Sequence, residues 1–468
     1  MTSASHDPPT VVIIGAGITG LTAAHAVLRE HPEAAVVVLE ADSRVGGKIL
    51  TTEFRGHRID CGADAFLARV PEAVDLCREL GLDDELVTPA SRTAYVFARG
   101  ELRPFPPGLV LGVPTDLDAL SGAGVVSDEA VSIARRDLTM SEPTRNRDES
   151  VGALVRRRIG DEIYETLVAP LLSGVYAGDA DRISAELAAP QFLEALRTHG
   201  SLIAGLRSQS AASASDKPVF YGLRHGTQTL VDALASLIVS KGATLLLSTR
   251  ADAVERHEQG LRVTTATGEV FDTTAVIATA PDRATARLLT DTAPAVAAEL
   301  EAIPYASVVL VTLAFAPDAF ERDLDGTGFL VPAREPYLLT ACSWASTKWA
   351  HLDGESVILR ASAGRHGDER ALRLDDDELV ERLVQDLRHT MGLVGAPTAR
   401  RVTRWPDALP QFPPGHSDRT RRWQRALDDV LPGVVLAGAG IGGLGIPACI
   451  RQANTAAAEV LDVIGPSP

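Results

Sequence analysis

The first forty residues carry the pattern that most restricts how this chain can fold. The pattern begins with an apolar run, Val11–Ile14, and a glycine loop, Gly15–Gly20. A helix-forming stretch follows, then a second apolar run, Val36–Leu39, and the acid Glu40. This order and spacing are typical of a dinucleotide site. Gly15 permits the tight turn, Gly17 lets the backbone approach a pyrophosphate, and Gly20 lets the helix pack on the strand.

The predicted cofactor contacts in this segment are of two kinds. The helix N-terminus offers unpaired N–H groups and the positive end of its dipole to phosphates. Glu40 lies where such folds place the acid that accepts ribose hydroxyls. No basic residue follows it directly, so a 2′-phosphate, and therefore NADP, is disfavoured. The loop contacts are predicted at Gly15, Ala16, Gly17, Ile18, Thr19 and Gly20.

A basic glycine segment follows the acid almost at once. Arg44 and Lys48 bring positive charge to the region where a pyrophosphate would lie, and Gly46 and Gly47 let the backbone come close. Together with the loop and the acid, this segment resembles the flavin-binding amine oxidase superfamily. The resemblance favours FAD over NAD.

Length, charge and cysteine content limit the classes of function. A chain of 468 residues is too long for one simple core, so two or three domains are expected. The net charge of −17 argues against general nucleic-acid affinity, and an anionic substrate would need a local basic cluster against that field. The sequence has no CxxC spacing and no His/Cys cluster typical of zinc, so we expect no metal site. We expect the thiols of Cys61, Cys77, Cys342 and Cys449 to be reduced and mostly buried.

The middle of the chain alternates helical and strand-like patterns. Residues 115–210 look mainly helical, and a Ser/Ala-rich stretch at 208–215 predicts a loop. An amphipathic helix is expected over 378–391. Strands are predicted at 244–247 and 276–280 and, in an antiparallel sheet, at 307–315, 328–331, 337–342 and 357–361.

The end of the chain repeats the opening pattern. An apolar run at 434–437 leads into the glycine-rich segment Gly438–Gly445, and a helix follows over 448–461. We therefore expect a nucleotide-binding domain built from the first, middle and last parts of the chain. The glycine segment presents a second helix N-terminus, which would stabilise negative charge developing at the N1/O2 edge of a reduced flavin.

Six stretches spread over nearly the full length resemble the protoporphyrinogen oxidase and coproporphyrinogen III oxidase family. The most specific are Gly174–Asp179 and Lys348–Trp349. The whole pattern looks most like the soluble coproporphyrinogen III oxidases of Gram-positive bacteria. The six stretches are 56–64, 170–179, 220–226, 343–349, 405 with 409–412, and 445–450.

The resemblance implies an α/β fold of the α+β multidomain kind. It comprises a Rossmann-like FAD-binding domain, a mixed-sheet substrate domain and a helical subdomain. The FAD-binding domain is predicted from residues 1–110, 216–285 and 400–468. The helical subdomain, lining the substrate cavity, is predicted at 111–215, and the antiparallel-sheet substrate domain at 286–399.

The resemblance also implies a reaction of haem biosynthesis. Coproporphyrinogen III is oxidised to coproporphyrin III in two-electron steps, each passing a hydride to N5 of a non-covalent FAD. Dioxygen then reoxidises the flavin and yields hydrogen peroxide. No catalytic side chain is predicted, since the pyrrole nitrogens can lose their protons to water.

Carried over position by position, the resemblance assigns further residues to both sites. Beyond the first loop and Glu40, the flavin contacts are Arg44, Gly47, Lys48, Gly62, Ala63, Asp64, Val254, Trp405, Gly442, Gly443 and Leu444. The glycines of the substrate cavity would let a flat macrocycle lie close. The predicted cavity residues are Leu171, Gly174, Gly328, Leu330 and Ile358.

The basic residues depart from the family pattern at one place. Membrane-type relatives carry an arginine before the strand at Tyr95 that pairs with a substrate carboxylate, and this chain has Ala94 there. Coproporphyrinogen bears four propionates rather than two, so a different basic set is expected. The candidates are Arg92, Lys348 and Arg360.

Four other functions stay open. The substrate could be protoporphyrinogen IX. A flavin amine oxidase is disfavoured by an aromatic content of only 4%, since such enzymes usually enclose the flavin in an aromatic cage. Phytoene-desaturase-like chemistry would favour a longer apolar access surface. From a different class, the chain could be a non-catalytic flavoprotein that regulates haem synthesis.

The predicted partners are a porphyrinogen and O2, without nucleic acid. No apolar run reaches the ~18 residues of a membrane span, so we expect a cytoplasmic protein. Peripheral membrane contact and transient contact with the next enzyme of the haem pathway, ferrochelatase, are left open.

Overall fold

Twelve strands form the two largest sheets of the computed structural model, which describes residues 8–140, 147–212, 218–258 and 260–465. In chain order they are β1 (Thr10–Ile14), β2 (Ala35–Leu39), β3 (Tyr95–Ala98), β4 (Glu101–Pro104), β5 (Thr244–Leu246), β6 (Ala275–Ala278), β7 (Tyr305–Phe315), β8 (Gly328–Leu330), β9 (Leu339–Trp344), β10 (Val357–Ala363), β11 (Ala399–Pro410) and β12 (Val434–Leu436).

The helices of seven residues or more surround these sheets. They are α1 (Ile18–Glu30), α2 (Pro71–Glu79), α3 (Leu117–Ala123), α4 (Asp128–Arg135), α5 (Val151–Ile159), α6 (Ala169–Tyr176), α7 (Pro190–His199), α8 (Leu202–Ala212), α9 (Gln228–Ser240), α10 (Asp282–Leu288), α11 (Pro294–Glu301), α12 (Asp376–Met391), α13 (His416–Val430) and α14 (Ile446–Ile464).

The first sheet is parallel and is assembled from distant parts of the chain. Its order is β5-β2-β1-β6-β12, and every neighbouring pair runs parallel. Alternate residues of β1 face opposite cores: Val11 and Ile13 pack with α1, α9 and α14, whereas Val12 and Ile14 pack with α11 and α13. Helices therefore cover both faces, as the continuous apolar strands require. This arrangement confirms the predicted α/β fold class.

The carboxyl ends of the parallel strands converge on one edge of this sheet. Gly15 follows β1, Glu40 follows β2, Thr279 follows β6 and Gly438 lies two residues after β12. Open parallel sheets bind their ligands at this edge. Two glycine segments more than 400 residues apart in sequence thus come to the same side of the molecule.

The second sheet has seven strands in the order β11-β7-β10-β9-β8-β3-β4. The prediction of an antiparallel sheet needs one correction, because β8 and β3 pair in parallel. The hairpin Tyr95–Pro104 arrives from far earlier in the chain and adds to the sheet edge, although the sequence grouped it with residues 1–110. The three-domain division itself stays a prediction. One face of this sheet packs against α12.

Helices fill the segment between the two sheets, as predicted. α3 to α8 share one apolar core, which includes Val96 of β3. The predicted loop at 208–215 is wrong for residues 208–212, which continue helix α8; residues 213–215 lie outside the described part of the chain. The earlier part of α8 is anchored by the buried side chains of Leu202, Ile203 and Leu206, and the Ser/Ala sequence that follows is compatible with a helix.

Shorter strands complete the fold. A hairpin pairs Thr51–Phe54 with His57–Asp60, and Phe220–Leu223 lies between Phe66–Leu67 and Leu86–Val87. A three-stranded antiparallel sheet joins Ala251–His257, Gly260–Thr265 and Val270–Thr273. Within the described ranges, no helix is long and apolar enough to cross a membrane. The thiol prediction is confirmed, because all four cysteines are buried and free.

Candidate active site

The first glycine loop is shaped by contacts that leave its outer side open. A Cβ on Gly20 would lie 1.8 Å from the carbonyl oxygen of Gly15, so helix α1 can approach the turn only with glycine there. Gly15 itself has φ +109°, which favours glycine. A Cβ on Gly17, in contrast, would meet nothing within 4 Å. The backbone at Gly17 therefore faces open space at the N-terminus of α1.

Glu40 is held at the edge of this loop by two backbone amides. One carboxylate oxygen accepts the N–H of Ala16 at 2.7 Å, and the other accepts the N–H of Asp42 at 2.8 Å. Each carboxylate oxygen can accept a second bond. Glu40 thus keeps acceptor capacity for ribose hydroxyls while its position is fixed.

The basic segment packs directly on the glycine loop. The N–H of Gly46 donates to the carbonyl of Ala16 at 2.8 Å. Arg44 donates to the carbonyls of Val45 and Ile49 at 3.0 and 3.1 Å, so its guanidinium braces this turn. Lys48 keeps exposed surface beside the Tyr305 ring, with 5.8 Å between its Nζ and the ring centroid. Phosphate contact by these two cations stays a prediction.

The second glycine segment is clamped from two sides at Gly440. A Cβ there would lie 1.8 Å from a carboxylate oxygen of Asp282, so this carboxylate rests against the bare α-carbon. Nε2 of His416 lies 2.7 Å from the Gly440 carbonyl oxygen and donates to it. Burial lowers the pKa of His416 to about 4, so the imidazole is neutral near pH 7. These contacts hold the segment that contains Gly442, Gly443 and Leu444, all of which are partly exposed.

Asp282 is a carboxyl with unusual protonation. The hydroxyl of Tyr305 donates to it at 2.5 Å. Burial raises the pKa of Asp282 to about 6, although the Tyr305 hydrogen bond and the charge of Lys48 act in the opposite direction. Burial also lowers the pKa of Lys48. Asp282 is thus buried beside the second glycine segment, whereas Lys48 keeps exposed surface.

Three successive carbonyls of residues 61–63 are each held by a different part of the chain. Trp405 Nε1 donates to Cys61 O at 2.7 Å, Arg360 donates to Gly62 O at 2.5 Å, and Thr227 donates to Ala63 O at 3.0 Å. In the described part of the chain, the amides of Gly62 and Ala63 donate to no protein acceptor. The segment thus turns its carbonyls inward and leaves these amides to a ligand.

Asp64 anchors the same segment to the seven-stranded sheet. Its carboxylate lies 2.9 Å from Lys348 Nζ and 2.9 Å from Arg360, and it accepts Trp349 Nε1 at 3.2 Å. Burial alone would raise the pKa of Asp64, but the charges of Lys348 and Arg360 outweigh it and hold the pKa well below its usual range. Asp64 is therefore held in its ionised form near neutral pH.

The residues around this space fit FAD. Gly17 supplies a backbone cradle at a helix N-terminus, Glu40 supplies acceptors, Lys48 supplies a cation, and the amides of residues 62 and 63 supply donors. These are the groups that a pyrophosphate, a ribose and a flavin ring require.

One face of the seven-stranded sheet is left unfilled next to residues 61–64. Five neighbouring strands of the sheet, β11, β7, β10, β9 and β8, contribute small or uncharged side chains to this face. These side chains remain partly exposed. We call this set the sheet floor. It comprises Leu310 of β7, Leu330 of β8, Ala341 and Ser343 of β9, Ser362 of β10, and Thr403 and Trp405 of β11.

Helix α6 lies over one side of the sheet floor. Leu171 and Gly174 are one helical turn apart and keep accessible surface. A Cβ on Gly174 would lie 3.6 Å from Leu330 Cδ2, which is ordinary contact. The structure thus brings together three of the predicted substrate residues, Leu171, Gly174 and Leu330, beside the flavin-side segment.

Three predicted positions have a different role in the structure. Ile358 is fully buried in an apolar cluster with Phe54 and Trp349, so it cannot line a cavity. Val254 is 1% exposed, so its side chain offers no surface to a flavin. Gly328 is buried with φ +135°, and a Cβ there would lie 2.1 Å from Cys342 O. Strand packing, rather than an approaching macrocycle, requires this glycine.

The predicted propionate cations separate into two groups. Lys348 and Arg360 both contact Asp64, whose single negative charge balances one of the two cations. Arg92 is exposed just before β3. Carboxylate binding by these three residues stays a prediction.

Several residues of the site carry no signal in the sequence. Thr227, His416 and Asp282 position the flavin-side segments, but each is a single polar residue without a motif. The sheet floor is also hidden in the sequence, because its members belong to five strands and share only small size and a common face.

Comparison with known proteins matches nearly the whole chain. The model of the flavin containing amine oxidoreductase family matches residues 18–461. The coproporphyrinogen III oxidase of Bacillus subtilis (strain 168) is 35% identical over 462 residues, covering 96% of this chain and 97% of that protein. The coproporphyrinogen III oxidase of Staphylococcus aureus is 32% identical, covering 97% and 99% of the two chains.

A solved structure gives the same picture. A crystal structure from Exiguobacterium sp. 255-15, assigned as a candidate protoporphyrinogen oxidase, superposes with a TM-score of 0.86. It is 32% identical in sequence and covers 98% of this chain and 99% of that one. The match therefore extends over both sheets and the helical region between them.

Proposed function

This chain belongs to the flavin containing amine oxidoreductase family, and we propose that it oxidises coproporphyrinogen III to coproporphyrin III in haem synthesis. The predictions of an oxidoreductase and of FAD as its cofactor are confirmed by the family match. The observation that carries the proposed substrate is the full-length similarity to two coproporphyrinogen III oxidases, at 35% and 32% identity.

The sheet floor supports a flat, largely apolar substrate. Its side chains are small or uncharged, and it lies beside the segment whose inward carbonyls are held by Trp405, Arg360 and Thr227. A macrocycle resting on the sheet floor would face the free amides of Gly62 and Ala63 across the cofactor. This arrangement favours a tetrapyrrole over a small charged amine, which would need a counter-charge there.

FAD, when bound, supplies a two-electron acceptor that O2 can regenerate with formation of hydrogen peroxide. The chain's own residues position it. Glu40 would hold the ribose end, Gly17 and the N-terminus of α1 would hold the pyrophosphate, and Gly62 and Ala63 would offer their amides to the ring. Since each group is fixed by packing, the site is formed before the substrate enters.

The protons of the reaction leave without a dedicated side chain. None of the sheet-floor residues is an acid or a base that titrates near neutral pH. We infer that the pyrrole protons of the substrate would pass to water rather than to a side chain of the sheet floor. The protein's contribution is orientation of the macrocycle and exclusion of competing paths, and we expect kcat to depend weakly on pH near neutrality.

Turnover with the two porphyrinogens tests the proposal. Purified holoenzyme is incubated in the dark with coproporphyrinogen III or with protoporphyrinogen IX, and porphyrin fluorescence is followed against the rate of air oxidation. We expect faster oxidation of coproporphyrinogen III, with hydrogen peroxide as co-product, and bleaching of the flavin absorbance without O2. Fluorescence no faster than air oxidation for either compound would refute the proposed function.

Protoporphyrinogen IX is the second candidate substrate. The structural match at TM-score 0.86 to a candidate protoporphyrinogen oxidase favours it. A higher kcat/KM for protoporphyrinogen IX in the same assay would establish it. O2 as acceptor, peripheral membrane contact, contact with ferrochelatase and a cytoplasmic location stay predictions.

A further inference from the structure

Arg365 is a half-buried cation that has no ion-pair partner within the described part of the chain. It follows β10 by two residues, in a turn that Asp368 closes by donating its N–H to Arg365 O at 2.9 Å. Its Nε is inaccessible to solvent and has no hydrogen-bond partner. Among the described residues, no carboxylate or carbonyl accepts a bond from its guanidinium.

The acid nearest in sequence is already engaged elsewhere. Asp368 accepts the Arg370 guanidinium at 2.9 and 2.8 Å. Burial lowers the pKa of Arg365, although the charge of Asp368 acts against this. The Arg365 side chain is partly buried, and only its Nε is shut off from water, so its terminal nitrogens keep contact with solvent. A half-buried guanidinium of this kind offers its N–H donors to a carboxylate. The site therefore suits an anion.

The turn that holds Arg365 connects the two walls of the substrate region. Ser362, three residues earlier on β10, belongs to the sheet floor. His366, the next residue, donates its N–H to Ala177 O at 2.7 Å, and Ala177 ends helix α6, which carries Gly174. A Cβ on Gly364 would lie 2.7 Å from Ser307 O, so the turn is pressed against β7. The position of Arg365 is thus set by both the sheet floor and α6.

We propose that Arg365 binds a propionate carboxylate of the porphyrinogen and thereby helps to select substrates with acidic side chains at this end of the sheet floor. The inference rests on the proposed function, since it assumes a tetrapyrrole on the sheet floor. A guanidinium presents parallel N–H donors that match a carboxylate in a two-bond pairing. It also provides the local positive charge that an anionic substrate needs near a protein of net charge −17.

Binding of the product measures this contact apart from catalysis. Holoenzyme is titrated with coproporphyrin III and, separately, with its uncharged tetramethyl ester, and the quenching of porphyrin fluorescence gives Kd. We expect Arg365→Gln to weaken coproporphyrin III binding by about 10- to 100-fold, as for loss of a hydrogen bond to a charged group. Arg365→Lys should lose less affinity for coproporphyrin III, because lysine keeps the positive charge. The ester should bind wild type and both variants equally.

Arg373→Gln is the matched control. It removes one positive charge from the same region, but the side chain is 79% exposed and pairs only loosely with Glu369. It should bind coproporphyrin III like the wild type. In turnover, Arg365→Gln should raise KM for coproporphyrinogen III with little change in kcat, and the flavin absorbance spectrum should not change. A role in holding the fold would instead alter the spectrum and the binding of acid and ester alike.

The outcomes separate the inference from the proposed function. If Arg365→Gln and Arg373→Gln bind coproporphyrin III equally, Arg365 does not take a carboxylate, although wild-type turnover would still support the proposed function. If the wild type oxidises neither porphyrinogen, the proposed function fails first. If Arg365→Gln does not fold, the inference is tested with Arg365→Lys and with the wild type. Equal affinities of the wild type for coproporphyrin III and for its tetramethyl ester would overturn the inference.

Discussion

Arg360 and Arg365 lie five residues apart on one strand and the turn that follows it, yet their surroundings are opposite. The guanidinium of Arg360 is bound by Asp64 at 2.9 Å and by Gly62 O at 2.5 Å. That of Arg365 is bound by no described residue. The first cation is used to build the flavin side of the site, and the second is available to a ligand.

The same contrast exists between two buried carboxyls. Asp64 has cationic neighbours on two sides, and its pKa is held well below the usual range. Asp282 has a hydroxyl donor and a more distant cation, and burial raises its pKa to about 6. A buried charge that has its partner within the protein fixes structure, whereas one without a full partner responds to ligand or to pH. The four predictions below test this distinction.

The largest effect is expected from Arg360→Met. It leaves Asp64 as a buried charge with only Lys348 beside it and removes the donor to Gly62 O. We expect the free energy of unfolding to fall by about 3–5 kcal/mol, together with loss of FAD on gel filtration. Urea denaturation of the apoprotein measures the first effect. When Asp64→Asn is already present, Arg360→Met should lower the free energy of unfolding by less. An equal loss with and without Asp64→Asn would contradict the pairing of Arg360 with Asp64.

A pH-dependent effect is expected from Asp282→Asn. The folded-state pKa of Asp282, about 6, lies above its ordinary value near 4, so the folded form holds a proton that the unfolded chain has lost between those pH values. The contribution of Asp282 to the free energy of unfolding is therefore complete below about pH 4 and is lost as the pH rises through 6. The full change is about 3 kcal/mol. The free energies of unfolding of the wild-type and Asp282→Asn apoproteins are measured between pH 4.5 and 7.5, where we expect their difference to change by about 2 kcal/mol.

That comparison isolates Asp282 from other titrating groups. His416 acts in the opposite direction, since burial lowers its pKa to about 4 and stability therefore rises with pH toward its ordinary value. The difference between wild type and Asp282→Asn cancels this shared background. A difference that does not change with pH would show that Asp282 is ionised throughout.

A smaller effect is expected from Lys348→Gln. Its ammonium is partly exposed, and Asp64 keeps Arg360 and Trp349 Nε1 when it is lost. We expect the free energy of unfolding to fall by about 1–2 kcal/mol, with FAD retained. Urea denaturation of Lys348→Gln and Arg360→Met under the same conditions gives the ratio of their losses of unfolding free energy. Equal losses would mean that the two cations are interchangeable.

The smallest effect on stability is expected from Arg365→Gln in the apoprotein. Because its charge has no partner among the described residues, neutralising it removes no ion pair. We expect the free energy of unfolding to stay within about 0.5 kcal/mol of the wild type or to increase. Chemical denaturation without ligand provides the measurement. A loss of 2 kcal/mol or more, on the order typical of a broken buried contact, would show that Arg365 has a structural partner.

The nucleotide end of the molecule was largely predictable from the sequence. The loop Gly15–Gly20, the acid Glu40 and the closing glycine segment Gly438–Gly445 follow apolar strands at fixed spacing, and the structure brings them to one edge of a parallel sheet. The prediction succeeds because each feature is local. A tight turn, a helix N-terminus and a backbone approach each need glycine at one position, whatever the rest of the chain does.

The substrate end was predicted only in part. Leu171, Gly174 and Leu330 do lie together, but Ile358 is a core residue and Gly328 serves strand packing. A hydrophobic residue that faces a cavity and one that faces a core look alike in a sequence. Which face of a strand is covered depends on what packs against it, and here α12 fills one face of the sheet and leaves the other open.

The sequence by itself determined the α/β fold class and the glycine segments that meet at one edge of the parallel sheet, because these depend on spacing along the chain. Only the tertiary structure decided how the buried charges are paired. Arg360 and Lys348 reach Asp64 from nearly 300 residues away, whereas Arg365 forms no ion pair with any residue that the structure describes. Electrostatic energy depends on distance and burial in space, which the order of residues does not record.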